Sequence, residues 1–275
     1  MNLLLIGDIV GKPGMRVTLA AVPYLREKEP IDFVIANAEN AADGSGLSPN
    51  SYKRLIAAGV DCVTLGDHIY RRSEIVPVLK GETRIVKPAN FPADAPGRTW
   101  TVVNSAAGVP VAVISVLGRV FMRPVDCPFH AVEKALAEIP PEVKIRVIDM
   151  HAEATSDKQL MARMVDGRVS AVLGTHTHVT TADEQILPGG TAMQCDVGMT
   201  GPYESILGRR IDRVLSTTLN FEPTHFDVAT EDVRLAATVV NIDPATGRAR
   251  SIRRLMVREV DLPITPASKE LPPLM

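Results

Sequence analysis

The stretch Asn2-Leu3-Leu4-Leu5-Ile6-Gly7-Asp8 sets the pattern of the chain: an apolar run, a glycine, then a carboxylate. Strands buried on both faces read as unbroken apolar runs, and they belong to parallel sheets covered by helices. An apolar run that ends on a metal-competent side chain returns four times. Phe33-Val-Ile-Ala-Asn-Ala38 runs into Glu39-Asn40, and Cys62-Val-Thr-Leu-Gly66 runs into Asp67-His68. Ile145-Arg-Val-Ile-Asp-Met150 runs into His151, and Ala171-Val-Leu-Gly-Thr175 into His176-Thr177-His178.

Helical patterns separate these runs. They are expected over Pro13–Glu29, from Ser48, near Ser73–Leu79, over Pro128–Glu138 and over Ser156–Val165. Pro13 in a first turn and Ser48 before Pro49 are ordinary helix starts. Further strands are expected at Arg84–Val86, Thr99–Val103 and Pro110–Val116. After Gly174 the pattern turns to short β-like pieces: Glu184–Leu187, Thr191–Asp196, His225–Thr230, Glu231–Ile242 and Ala249–Val257. One helix is expected there, near Tyr203–Val214. Strands alternating with helices predict an α/β fold with a parallel sheet. The β-rich C-terminal part is expected to supply a second sheet packed on the first. With no linker-like stretch, residues 1–262 read as a single domain and 263–275 as a Pro-rich tail.

Composition narrows the function. At 275 residues and 45% hydrophobic content the chain can bury a sizeable core. A formal net charge of -2 argues against a stable nucleic-acid complex held by bulk electrostatics. With 4% aromatic residues, a stacking platform for single-stranded bases is not expected. No apolar stretch is long enough to span a bilayer, so no membrane contact is expected. Three cysteines without Cys-x-x-Cys spacing suit a reducing compartment, so the expected location is cytoplasmic. A homo-oligomer is compatible with all of this.

The five strand ends carry the chemistry. In open α/β sheets, ligands bind outside the carboxyl ends of the strands. Taken singly, Asp8 is as good a turn former as a ligand, and a lone His is more often structural. His130 and His225 have no neighbouring constellation and stay in that class. His176 and His178 are sharper, since residues two apart on an extended chain point the same way. Together the strand ends gather carboxylates, an amide and imidazoles, with no thiolate. That mixture suits iron or manganese ahead of zinc. It exceeds a four-ligand structural site, so two metal ions sharing a carboxylate are expected. Such a pair binds phosphoryl oxygens and generates a hydroxide for hydrolysis at phosphorus. Other readings fail. Gly7-Asp-Ile-Val-Gly11-Lys12-Pro13 has the wrong glycine spacing for a P-loop, and Pro13 stands where Ser or Thr is needed. His151-Ala-Glu153 lacks the second His of a zincin helix.

These residues also resemble a known family. Gly7-Asp8, Asn37-Ala-Glu39-Asn40, Thr64-Leu-Gly-Asp67-His68, Met150-His151-Ala-Glu-Ala-Thr155 and Gly174-Thr-His176-Thr-His178 are similar to the calcineurin-like metallophosphoesterase superfamily, and most to its bacterial YmdB-like branch. Gly118-Arg-Val-Phe-Met122 and Thr200-Gly-Pro202 resemble the branch as well. The resemblance implies a four-layer α/β/β/α sandwich with a dimetal centre. It implies Asp8, Glu39, Asn40 and His178 around one metal, and Glu39, Asp67, His151 and His176 around the other, with Glu39 as the bridge. His68 would be the general acid beside the leaving group. The implied activity is a phosphodiesterase that uses a metal-bound hydroxide on a small phosphorylated substrate, a cyclic nucleotide of the 2′,3′ kind. Two positions depart from the superfamily: Val10 replaces the His of its opening Asp-x-His, and Asp67 replaces the Asn of its Gly-Asn-His. The Val10 departure is shared by the branch, with Asn40 filling the vacancy, whereas the extra carboxylate at Asp67 should weaken the metal's pull on substrate. A metal-binding regulatory protein with little turnover is the alternative.

Overall fold

The computed structural model describes residues 1–263; the tail expected after Leu262 lies, from residue 264 onward, outside the described residues. In chain order the elements are β1 (Asn2–Ile6), β2 (Asp8–Ile9), α1 (Gly11–Lys28), β3 (Phe33–Asn37), α2 (Pro49–Ala57), β4 (Cys62–Thr64), α3 (Val76–Gly81), β5 (Trp100–Asn104) and β6 (Pro110–Leu117). Then follow α4 (Pro128–Glu138), β7 (Ile145–His151), α5 (Thr155–Met164), β8 (Ala171–Thr175), β9 (Gln185–Ile186), β10 (Ala192–Gln194), β11 (Met199–Pro202), α6 (Ile211–Asn220), β12 (Val233–Ile242) and β13 (Ala249–Arg258).

Two sheets lie face to face. The first runs β2-β11-β12-β1-β3-β4 with β13 added on β12, and the second runs β5-β6-β7-β8-β10-β9. Strands β1, β3 and β4 are parallel, as are β6, β7, β8 and β10. Side chains alternate across each strand. Leu3 and Leu5 of β1 therefore join Phe33, Val113, Val147 and Leu173 in a core between the sheets. Leu4 and Ile6 face the opposite way, into a core with Val17, Val22 and Leu55 of α1 and α2. On the far side, Ile114 and Ile148 pack against Val132 and Met161 of α4 and α5. The layers are helix, sheet, sheet and helix, as the resemblance implies. Among the described residues no helix is long and apolar enough to cross a membrane.

Several expectations change. The second sheet is built mainly from Trp100 to Thr175, and the part after Gly174 is divided between the two sheets. Strands β9 and β10 extend that sheet, while β11, β12 and β13 complete the first. β12 slots antiparallel beside β1, where its Leu235, Ala237 and Val240 bury on both faces. The helix expected near Tyr203 begins only at Ile211, because Leu207 and Gly208 take left-handed backbone angles that end any helical run. Residues 84–86 and 225–230 form isolated bridges in place of strands.

Candidate metal centre

The carboxyl ends of the parallel strands of both sheets meet at one edge. The first sheet brings Asp8, Glu39, Asn40, Asp67 and His68; the second brings His151, His176 and His178. Four of them, Glu39, Asp67, His151 and His176, each place one ligand atom within 4.8 Å of all the others. His151 Nε2 lies 3.2 Å from Glu39 Oε1 and 3.3 Å from Asp67 Oδ1. His176 Nδ1 lies 3.5 Å from Asp67 Oδ1. Beside this group, His178 Nε2 is 3.7 Å from Asp8 Oδ1 and 3.4 Å from Asn40 Nδ2. Asn40 Nδ2 donates to Glu39 Oε1 at 3.2 Å. Glu39 therefore stands between the two groups.

Each imidazole turns one ring nitrogen toward the carboxylates and the other outward. Thr175 Oγ1 gives its one proton to Asp149 Oδ1 at 2.6 Å, so at 2.8 Å it accepts from His151 Nδ1. That fixes the orientation of the ring and makes Nε2 the nitrogen offered toward the carboxylates, to a proton or a metal. His178 Nδ1 donates to the Leu207 carbonyl at 3.2 Å, again leaving Nε2 inward. His176 turns its Nε2 to Glu153 Oε2 at 3.2 Å and its Nδ1 inward. His151 Nε2 and His176 Nδ1 then face each other at 3.1 Å, an arrangement that needs a cation or a proton between them. Asp8 Oδ1 is fully buried and has no hydrogen-bond partner. A buried carboxylate oxygen without a donor is costly unless a cation sits against it. The donor set fits metal ions.

Charge agrees with that. Burial pushes the Asp8 carboxyl up to about 6, against the pull of His178 and His151. Burial also works against ionised Glu39 and Asp67, but their contacts with His151 outweigh it and hold both carboxyls low. For His151 burial opposes protonation, yet Glu39 and Asp67 raise its basicity well above the usual value. Burial and the neighbouring His151 lower His176 to about 4.

Local backbone makes the site possible. His176 and His178 do not lie on an extended chain; both are left-handed, with φ of 93° and 64°. They therefore diverge, one toward His151 and the other toward Asp8. The strain is held by Asp196, which accepts from Thr177 N at 3.1 Å and Thr177 Oγ1 at 2.6 Å. Lys158 Nζ pairs with the same carboxylate at 2.8 Å. Gly66 leaves room where a Cβ would overlap His151 Nε2 and Glu39 Oε2. Beneath the site, buried Asp149 ties the sheets together, accepting from Thr64 Oγ1 at 2.5 Å and Asn37 Nδ2 at 3.0 Å. Burial raises its carboxyl despite these donors.

His68 sits to one side. Its backbone N–H donates to Glu39 Oε2 at 2.9 Å, and its Nδ1 lies 2.6 Å from Asn40 Oδ1. The ring is about a quarter exposed, and its Nε2 lies 3.7 Å from Asp67 Oδ2. Asn40 thus shows its amide nitrogen to Glu39 and His178; an oxygen ligand needs a half-turn of that amide. Glu153, Gly66 and Asp196 are site residues that the strand-end pattern passes over. Only Glu153 carried a signal, two residues after His151.

The chain matches the family model described as YmdB-like protein over residues 4–255. It is 42% identical over 259 residues to the 2′,3′-cyclic-nucleotide 2′-phosphodiesterase of Bacillus subtilis, covering 94% of this chain and 98% of that one. A crystal structure of a hypothetical protein from Thermus thermophilus superposes with a TM-score of 0.87 at 40% identity, covering 94% and 99% of the two chains. A novel phosphatase from Mycoplasma pneumoniae gives a TM-score of 0.87 at 28% identity, covering 94% and 93%.

Proposed function

The chain belongs to the YmdB-like family, and on that footing we propose that it is a metal-dependent phosphodiesterase hydrolysing 2′,3′-cyclic mononucleotides. One observation carries the metal chemistry: His151 and His178 give their outer N–H to Thr175 and Leu207 and turn Nε2 toward three carboxylates, while His176 turns Nδ1 to the same group with its Nε2 3.2 Å from Glu153 Oε2. The substrate class follows from the activity named for the Bacillus subtilis relative.

In this reading Asp8, Glu39, Asn40 and His178 hold one metal, and Glu39, Asp67, His151 and His176 hold the other. Glu39 lies between the two groups, its Oε1 3.2 Å from His151 Nε2, and would be the ligand shared by both metals. Iron or manganese suits the mixed oxygen and nitrogen donors ahead of zinc. Two bound metals supply positive charge to the phosphoryl oxygens and lower the pKa of an attacking water.

The protein supplies position and a proton. His68 is fixed at its backbone by Glu39. With the Asn40 amide turned to offer its oxygen to a metal, the amide nitrogen would donate to the adjacent His68 Nδ1, which places the ring proton on Nε2. Its outer nitrogen, Nε2, holds the proton for the leaving group. When the water oxygen bonds to phosphorus and the bond to the ribose oxygen breaks, His68 Nε2 gives its proton to that oxygen. The three cysteines are free, which fits a cytoplasmic enzyme. Both sheets contribute to the centre, so residues 1–262 act as one catalytic unit.

The test is turnover of 2′,3′-cyclic AMP by manganese-loaded protein, beside Glu39→Gln, with bound metal quantified. The expected result is hydrolysis in the wild type, with activity and metal content both lost in the variant. Unchanged metal content with full activity in Glu39→Gln would remove the dimetal reading.

A further inference from the structure

The segment Gly118-Arg119-Val120-Phe121-Met122 has no part in the metal centre, yet it is built onto the same edge. Leu117 pairs with His151 in the parallel ladder, and Gly118 N donates to the His151 carbonyl at 2.9 Å. Beyond it the backbone is clamped: buried Asp157 Oδ2 accepts from Arg119 N at 2.9 Å and Val120 N at 3.2 Å. Gly118 is packed so closely on Ala152 that a Cβ there would overlap it. Ala152 sits between His151 and Glu153, whose Oε2 lies 3.2 Å from His176 Nε2. The clamp therefore ties this loop to the chain that carries and orients two of the inward-facing imidazoles.

On that fixed loop stands Phe121, left-handed at φ 59° and 91% exposed. Left-handed backbone is unfavourable for an aromatic residue, by about 1–2 kcal/mol. A free ring gains nothing from burial to offset this. Phe221 is also left-handed and exposed, but it ends a helix, whereas Phe121 stands on the loop that continues β6 from the residue paired with His151. The metal centre itself is lined by carboxylates, an amide and imidazoles. Those polar groups serve a phosphoryl group.

We infer that Phe121 is the platform on which the nucleobase of the substrate stacks, making the 118–122 loop the base subsite. This rests on the phosphodiesterase reading above. A ring face accepts any base, so the subsite favours nucleotides over base-free phosphodiesters without choosing among bases. The backbone clamp by Asp157 keeps the ring in place before substrate arrives, which limits the ordering cost of binding.

The experiment compares wild type, Phe121→Ala and Phe121→Trp on 2′,3′-cyclic AMP and on base-free ribose 2′,3′-cyclic phosphate. The Kd of adenosine 3′-monophosphate is measured in parallel by titration calorimetry. Base stacking predicts that Phe121→Ala lowers the ratio of kcat/KM, nucleotide over base-free, by about tenfold and weakens nucleotide binding by a similar factor. Phe121→Trp should restore both. An unchanged ratio and an unchanged Kd in Phe121→Ala overturn the subsite. Wild type that hydrolyses neither compound rejects the phosphodiesterase reading, whereas the Kd comparison still decides the stack.

Discussion

Asp196 holds the Thr177 hydroxyl at 2.6 Å, and with it the one residue that separates His176 from His178. It also receives the Thr177 N–H and the ammonium of Lys158. Both carboxylate and ammonium are buried. Removing one partner of a buried pair costs roughly 3–5 kcal/mol, because the other charge is left alone. Asp196→Asn is expected to lower Tm accordingly and to reduce bound metal, since the left-handed histidines lose their anchor. Adding Lys158→Met removes the stranded charge and should recover part of the Tm but not the metal. Thermal melts with metal analysis on both variants check this. Recovery of metal together with Tm would reduce Asp196 to a stability role.

Gly66 gives a sharper steric test. A methyl group there would overlap His151 Nε2 and Glu39 Oε2, the two atoms at the heart of the centre. Gly66→Ala is expected to abolish metal binding and turnover with far-UV circular dichroism unchanged. A variant that keeps its metal would mean that the strand end gives way freely.

The strand ends were legible in the sequence because parallel buried strands leave an unbroken apolar signal, and a polar stop after each one stands out. The four-layer arrangement came from the resemblance; the alternation within Leu3-Leu4-Leu5-Ile6 cannot show by itself which core each residue enters. Strand order was not legible, because β12 joins β1 from more than two hundred residues away and nothing local marks that pairing. Nor was the anchor at Asp196 legible. Cys195-Asp196-Val197 reads as an ordinary strand end, and its role appears only once Thr177 and Lys158 are brought to it. An extended chain would point His176 and His178 the same way; their left-handed turns send them apart, His176 to Asp67 and His151 and His178 to Asp8.

Metal uptake is expected to be linked to protons. Burial raises Asp8 to about 6, and Glu39 and Asp67 raise His151 well above its usual value, although burial opposes that protonation. Ligation needs both groups deprotonated, so protons compete with metal and are released when it binds. Affinity for Mn²⁺ should therefore fall as pH drops through about 6, where Asp8 takes up its proton, with the His151 proton displaced by metal throughout. Titrations in buffers of different ionisation enthalpy report the protons released. An affinity that is flat through that pH would contradict the assignment of these two groups as ligands.

Asp67 lies 3.3 Å from His151 Nε2 and 3.5 Å from His176 Nδ1, a carboxylate where the superfamily motif has an amide. Its extra negative charge offsets part of the pull on substrate and water. Asp67→Asn is expected to keep bound metal and to turn over 2′,3′-cyclic AMP at an equal or higher rate, with an altered metal preference. Loss of both metal and activity would show that this centre depends on the carboxylate.

His68 distinguishes proton donation from mere support. A general acid matters most for a poor leaving group, and such catalysis is worth about 10²–10⁴-fold. A ribose oxygen is a poor leaving group, whereas a nitrophenolate departs without a proton. His68→Ala is expected to lose activity on 2′,3′-cyclic AMP by about that factor and much less on a nitrophenyl phosphodiester. Its metal content should stay near wild type, because its ring contacts Asn40 and it is assigned no metal. If His68 served only to hold Asn40 and the Asp67 turn, both substrates would slow alike and metal would be lost with them. Turnover on the two substrates with metal quantified in parallel separates these cases. Equal losses on both would reject the acid role.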